Sequence, residues 1–174
     1  MTSTPPAGFW AQAAADPDRT VLVAPDGEQW TAARLHADAN RLVHGLRAAG
    51  MRRGDAFAVV LPNSPEFFTA YLAASQAGFY LVPVNHHFVA PEIAWIVADS
   101  GAKVLLAHER FAAPARDAAD EAGLPGTHRY AIGTVEGFRP YAELLDGQPE
   151  SAPADRTLGW VMNYTSGTTG RPRG

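Results

Sequence analysis

Ala56-Phe57-Ala58-Val59-Val60-Leu61 is an unbroken apolar run, and Ser64-Pro65-Glu66 follows it closely. A continuous run, as opposed to an alternating one, suits a strand whose sheet is covered on both faces. Ser64, Pro65 and Glu66 then offer an N-cap, a proline at the first helical position and an early acid, which together mark a helix start. Phe67, Phe68, Tyr71 and Leu72 are expected to pack that helix down as core, and Gly78 to end it. Residues 56–78 therefore read as strand, turn and helix, one βα unit.

The unit recurs in type, though not in sequence. Residues 79–84 form a second apolar run; Pro91-Glu92 opens a helix carrying Ile93, Ile96 and Val97. Residues 103–107 are a third strand, 109–122 an Ala-rich helix stopped by Gly123, and 128–132 a fourth strand. Strand starts near 56, 79, 103 and 128 are spaced by 23, 24 and 25 residues, the step of a βα unit. Right-handed crossovers then give an α/β fold, a mostly parallel sheet with helices on both faces. Upstream, Asp26-Gly27 between Val21-Leu22-Val23 and Gln29-Trp30 predicts a hairpin with a type I′ turn. Thr31 caps a helix with Leu35, Leu42, Val43 and Leu46 on one stripe, closed by Gly50. The expected organisation is an N-terminal segment over 1–19, an α/β subdomain over 20–147, a Pro-containing polar linker over 148–157, and a strand and loop over 158–174.

Composition narrows the function classes. Hydrophobic residues make up 47% and charged residues 18% of the 174, which excludes a disordered chain. The formal net charge of −4 gives no electrostatic reason to expect a nucleic-acid partner. With no cysteine, disulfides, thiolate zinc sites and a thiol nucleophile are excluded. Residues 1–18 lack the apolar region of a signal peptide, and the run at 56–61 is too short to span a bilayer, so a cytoplasmic location is expected. Of the 14 basic residues 13 are Arg, so an Arg where chemistry usually uses Lys follows the chain's own bias.

Residues 158–164 read as one more strand, apolar on both faces, and it runs into Tyr164-Thr165-Ser166-Gly167-Thr168-Thr169-Gly170-Arg171-Pro172-Arg173-Gly174. Gly167, Gly170 and Gly174 let backbone N–H groups approach an anion. Thr165, Ser166, Thr168 and Thr169 add hydroxyl donors, and Arg173 a permanent cation with a fork suited to phosphate oxygens. A loop after a strand is also where open α/β sheets hold nucleotides. The Walker spacing is absent, and a plain Ser/Thr/Gly linker is the competing reading.

This stretch resembles the signature phosphate loop of the adenylate-forming superfamily, aromatic-T-S-G-T-T-G-x-P-K-G, matching everywhere except the Lys, which is Arg173. Trp30-Thr31-Ala32-Ala33-Arg34-Leu35, Val60-Leu61-Pro62-Asn63-Ser64-Pro65-Glu66, Ala77-Gly78, Val82-Pro83-Val84-Asn85, Glu92-Ile93 and Asp99-Ser100 are similar to acyl-CoA synthetases in particular. The resemblance implies a two-step ligase using ATP with Mg2+ and coenzyme A. A fatty or aromatic carboxylate attacks the α-phosphate, and the thiol then displaces AMP. Thr165, Ser166, Gly167, Thr168, Thr169, Gly170, Arg173 and Gly174 would hold the β- and γ-phosphates. An acyl-AMP ligase or a peptide-synthetase adenylation domain is the alternative within the family.

The family's magnesium-binding Glu, ribose-binding Asp and catalytic Lys belong to motifs that no residue here matches; Lys103, at the start of a strand, is not a substitute. The chain therefore resembles the N-terminal portion of such a fold, from a truncated gene or a partial record. By itself it is expected to be catalytically silent and prone to self-association, or a non-catalytic remnant that at most binds phosphate. No metal ligands are assigned: His86-His87 reads as a polar loop, because adjacent residues do not converge on one ion. His36 and His44 are expected on the solvent side of their helix, and Asp117, Asp120 and Glu121 on a solvated face.

Overall fold

The structure is a computed structural model that describes residues 8–165. After a helix α1 (Phe9–Ala15), β1 (Thr20–Val23) and β2 (Gln29–Thr31) form an antiparallel hairpin, and α2 (Ala32–Ala48) follows directly. The Thr31 hydroxyl accepts from the Arg34 N–H at 3.2 Å, so the cap read from the sequence is made. The hairpin turn differs from the expected type I′, which needs positive φ at both central residues. Here only Gly27 is positive, at φ 90°, and the Gly27 N–H bonds to the Ala24 carbonyl. Pro25, whose ring fixes φ near the helical value, selects a three-residue loop that ends on a left-handed glycine.

The main sheet has six strands in the order β7-β6-β5-β3-β4-β8, all parallel. These are β3 (Ala56–Val60), β4 (Tyr80–Pro83), β5 (Ala102–His108), β6 (Arg129–Ile132), β7 (Arg139–Pro140) and β8 (Trp160–Val161). The helices α3 (Pro65–Ala77), α4 (Ala90–Asp99) and α5 (Ala112–Glu121) are the crossovers between β3 and β6. All five residues of β3 are buried, and they alternate between two cores. Phe57 and Val59 meet α2 and α3 through Leu42, Val43, Leu46, Ala70, Ala73 and Ala77. Ala56, Ala58 and Val60 meet α4 and α5 through Ile93, Ile96, Val97, Ala118 and Ala119. The doubly covered sheet is thus built as its unbroken apolar strands require.

Three expectations are corrected. Phe68 and Tyr71 stand 41% and 44% exposed, so they are not core. The buried face of α3 is mainly small, with Thr69, Ala70, Ala73, Ala74 and Ala77 letting the helix sit close to the sheet. Ser64 occupies the N-cap position without capping, and its buried hydroxyl has no partner. The strand expected over 158–164 is reduced to Trp160–Val161, because β4 offers it a two-pair register and no described strand lies on its other side.

Candidate functional site

The connections leaving β3 and β4 diverge, one to α3 on one face and the other to α4 on the opposite face. Such divergence opens a crevice at the carboxyl ends of parallel strands. β8 lies beside the first residues of β4 and runs in the same direction, so the chain that leaves it heads toward this same end of the sheet. Its seat is made by backbone bonds, Trp160 N–H to Phe79 O at 3.1 Å and Met162 N–H to Leu81 O at 2.8 Å. Just before them, Thr157 N–H donates to Gln76 O at 3.0 Å and Gly159 N–H to Ser75 O at 3.3 Å. Gly159 has no room for a side chain: a Cβ there would collide with the Ala74 and Phe79 carbonyl oxygens.

Tyr164 follows β8 and packs with Met162 against the α4 core. Its hydroxyl donates to the Asp99 carboxylate at 2.7 Å. Partial burial, with the Asp99 bond and charge, pushes the phenol above its ordinary range, so it remains a donor. The sequence places Asp99 in a stretch similar to acyl-CoA synthetases, but nothing in it pairs Asp99 with Tyr164, 65 residues away. Thr165, directly after this anchor, is exposed. The other residues named for phosphate, Ser166, Gly167, Thr168, Thr169, Gly170, Arg173 and Gly174, lie outside the described residues.

The remaining titratable groups sort by position. Lys103 holds Asp55 at 2.8 Å at the amino end of β3 and β5. Partial burial would raise the Asp55 carboxyl, but the Lys103 bond and the Arg52 N–H outweigh it and hold the pKa low. His86 is stacked on Phe111 at 4.6 Å and lies 4.3 Å from the His87 ring, at the loop after β4. Among the described residues no three His, Asp or Glu side chains converge to hold a metal ion. Asp117, Asp120 and Glu121 are exposed as expected, and Asp120 is also the partner of the buried Arg129.

His36 and His44 do not face open solvent, a further correction. The 148–157 segment is strapped along α2, and α1 packs against the same helix. Asn40 Nδ2 donates to Glu150 O at 2.6 Å, His44 meets Ser151 O at 3.0 Å, and Arg47 holds Asp155 at 2.9 Å. His36 sits 5.3 Å from the Trp10 ring and 3.2 Å from an Arg156 nitrogen. Burial, and then the Arg156 charge, lower its pKa. The signal for this strap is present in the sequence as polar residues at 36, 40, 44 and 47, one face of α2.

Residues 9–174 match the AMP-binding enzyme family, and the chain belongs to it. It is 37% identical over 152 residues to a long-chain-fatty-acid–CoA ligase, FadD13, of Mycobacterium tuberculosis, covering 83% of this chain and 28% of that protein. It is 33% identical over 156 residues to ScoC, a fatty acid–[acyl-carrier-protein] ligase of Streptomyces coeruleorubidus, covering 89% of this chain and 29% of that protein. A Mycobacterium tuberculosis fatty acyl CoA synthetase structure superposes with a TM-score of 0.79 at 32% identity, covering 94% of this chain and 32% of that one. The chain thus spans less than a third of the length of these relatives. Its mostly parallel sheet with helices on both faces is the fold of the corresponding part of adenylate-forming enzymes. No described helix is long and apolar enough to cross a membrane.

Proposed function

We propose that this chain supplies the phosphate-binding portion of an ATP-dependent ligase that activates a fatty or aromatic acid and passes it to the thiol of coenzyme A. The observation that carries the reading is the family match, which runs through Thr165 to the final glycine of the loop. A carboxylate oxygen attacks the α-phosphorus of ATP, the bond to the β-bridging oxygen breaks, and pyrophosphate leaves. The coenzyme A sulfur then attacks the acyl carbon and AMP leaves. The part assigned to this chain is electrostatic, since pyrophosphate needs donors and positive charge as it departs. Thr165, Ser166, Thr168 and Thr169 donate hydroxyl hydrogen bonds, Arg173 brings the cation, and Gly167, Gly170 and Gly174 admit the backbone. Arg173 preserves the charge of the family's Lys but offers a planar fork in place of a point charge. Magnesium would arrive with ATP and neutralise phosphate charge; no residue of this chain is assigned to it.

A second reading, transfer to a carrier-protein thiol, draws on the similarity to ScoC, a fatty acid–[acyl-carrier-protein] ligase. The phosphate role is common to both. It is tested by titrating the isotopically labelled chain with ATP and following its amide resonances. The expected result is shifts concentrated at residues 165–170, reversed by competing pyrophosphate. Loop amides unmoved at millimolar ATP would overturn the assignment.

A further inference from the structure

The strap that leads into β8 carries Arg156, and this residue is tied to three helices at once. Its guanidinium lies over the Trp10 ring of α1 at 4.7 Å, donates to Gln76 Oε1 of α3 at 3.1 Å, and meets His36 Nε2 of α2 at 3.2 Å. Gln76 is itself committed, because its amide donates to Asn40 Oδ1 at 2.9 Å. Its backbone carbonyl takes the N–H of Thr157, the residue after Arg156. The side-chain clamp and the first backbone bond that seats β8 therefore share one residue of α3.

Chemistry fixes the protonation state of the clamp. A guanidinium has donors and no acceptor, so His36 Nε2 must present its lone pair to Arg156. The imidazole is then neutral, with its proton on Nδ1. A second proton would set a donor and a positive charge against the guanidinium. The groups packed on His36 offer no compensation. Helix α1 (Phe9–Ala15) contributes the Phe9 and Trp10 rings and contains no charged residue, and the strap contributes the cation itself, whose other hydrogen-bond partner, Gln76 of α3, is neutral. His44, about two turns further along α2, behaves in the opposite way. Its partner is the Ser151 carbonyl, which can only accept, so His44 Nε2 already donates and protonation leaves that bond intact.

We propose that Arg156 is a positioning residue that seats β8, the strand entering the phosphate loop, and that protonation of His36 releases this seat. The lowered pKa of His36 is consistent in sign: the folded state disfavours the extra proton, so the hold is complete above the ordinary imidazole range near about 6.5 and weakens as pH falls below it. The seating claim stands independently of the phosphate reading, and only its consequence for nucleotide handling rests on that reading.

Hydrogen exchange on the full chain tests it without a ligand. Protection of the Thr157, Gly159, Trp160 and Met162 amides, corrected for intrinsic exchange, is compared at about pH 7.5 and about pH 5.5, on either side of the ordinary imidazole pKa. Wild type is expected to lose severalfold, at most about tenfold, at the lower pH, while Ala56–Val60 stays unchanged. His36→Gln retains an acceptor for Arg156 and cannot titrate, so its protection should vary by less than twofold between the two pH values. Arg156→Gln should be weakly protected at both, and His44→Gln should retain the wild-type pH dependence. Equal wild-type protection at the two pH values, or an undiminished pH response in His36→Gln, would overturn the proposal. Neither outcome bears on whether the loop amides respond to ATP.

Discussion

Thr31 and Ser64 stand at the same kind of position and do opposite things. Both precede a helix and both read as caps, but only the Thr31 hydroxyl reaches a backbone N–H. Ser64 has its hydroxyl buried and unpaired, with the Phe67 N–H bonding to its carbonyl oxygen. Replacing Thr31 by Ala is expected to cost about 1 kcal/mol, the usual worth of a made cap. Replacing Ser64 by Ala removes a desolvated hydroxyl that gains nothing, so stability should be unchanged or higher. Urea denaturation midpoints of the two variants check both signs. Ser64 is legible as a cap position because Pro65 and Glu66 mark a helix start, and Thr31 because it precedes the apolar stripe of α2; the rotamer of one hydroxyl is decided by packing that local sequence does not encode.

Among the elements, those made of local contacts were read well and those made by distant partners were not. The βα units at 56, 79 and 103 and the strand at 128 are legible because their signals are local, apolar stretches for the strands and Ser64-Pro65-Glu66, Pro91-Glu92, Gly78 and Gly123 for the helix ends. The strap over 148–157 was read as a linker because its bonds reach back more than a hundred residues to α2. Phe68 and Tyr71 suggest a core by their size, yet the close packing of α3 is achieved by its alanines. β8 depends most on distant partners, and Gly159 is its tightest point. Gly159→Ala forces a methyl onto two carbonyl oxygens, so β8 must shift or lift. Such overpacking typically costs about 1–3 kcal/mol. Hydrogen exchange at Trp160 and Met162 should accelerate at least about fivefold in this variant while Ala102–His108 stays protected. Unchanged exchange would mean that β8 is not held by this contact.

At the scale of the molecule, the sheet is tied down at both sides. The Asp55–Lys103 ion pair closes its amino end at β3 and β5, while at the β8 edge the Tyr164–Asp99 bond ties the chain that leaves β8 to the end of α4, just before Thr165. The β8 edge also exposes Leu158 and Trp160, at 67% and 63%. An unpaired edge beside apolar side chains favours association. The chain is expected to self-associate with rising concentration in light scattering, and Leu158→Lys with Trp160→Lys to remain monomeric. The family assignment rests on residues 9–174, and the functional account depends on what the loop after Tyr164 does with phosphate.

The most direct test of the proposed function is acid-dependent exchange of labelled pyrophosphate into ATP, measured in a family ligase engineered to carry this chain. Wild type is compared there with the Thr168→Ala, Thr169→Ala double variant. Each lost hydrogen bond to a charged phosphate is worth about 1.5–3 kcal/mol, so exchange should slow at least tenfold while the unfolding midpoint stays put. Exchange at the wild-type rate in the double variant would make the stretch a linker and contradict the account.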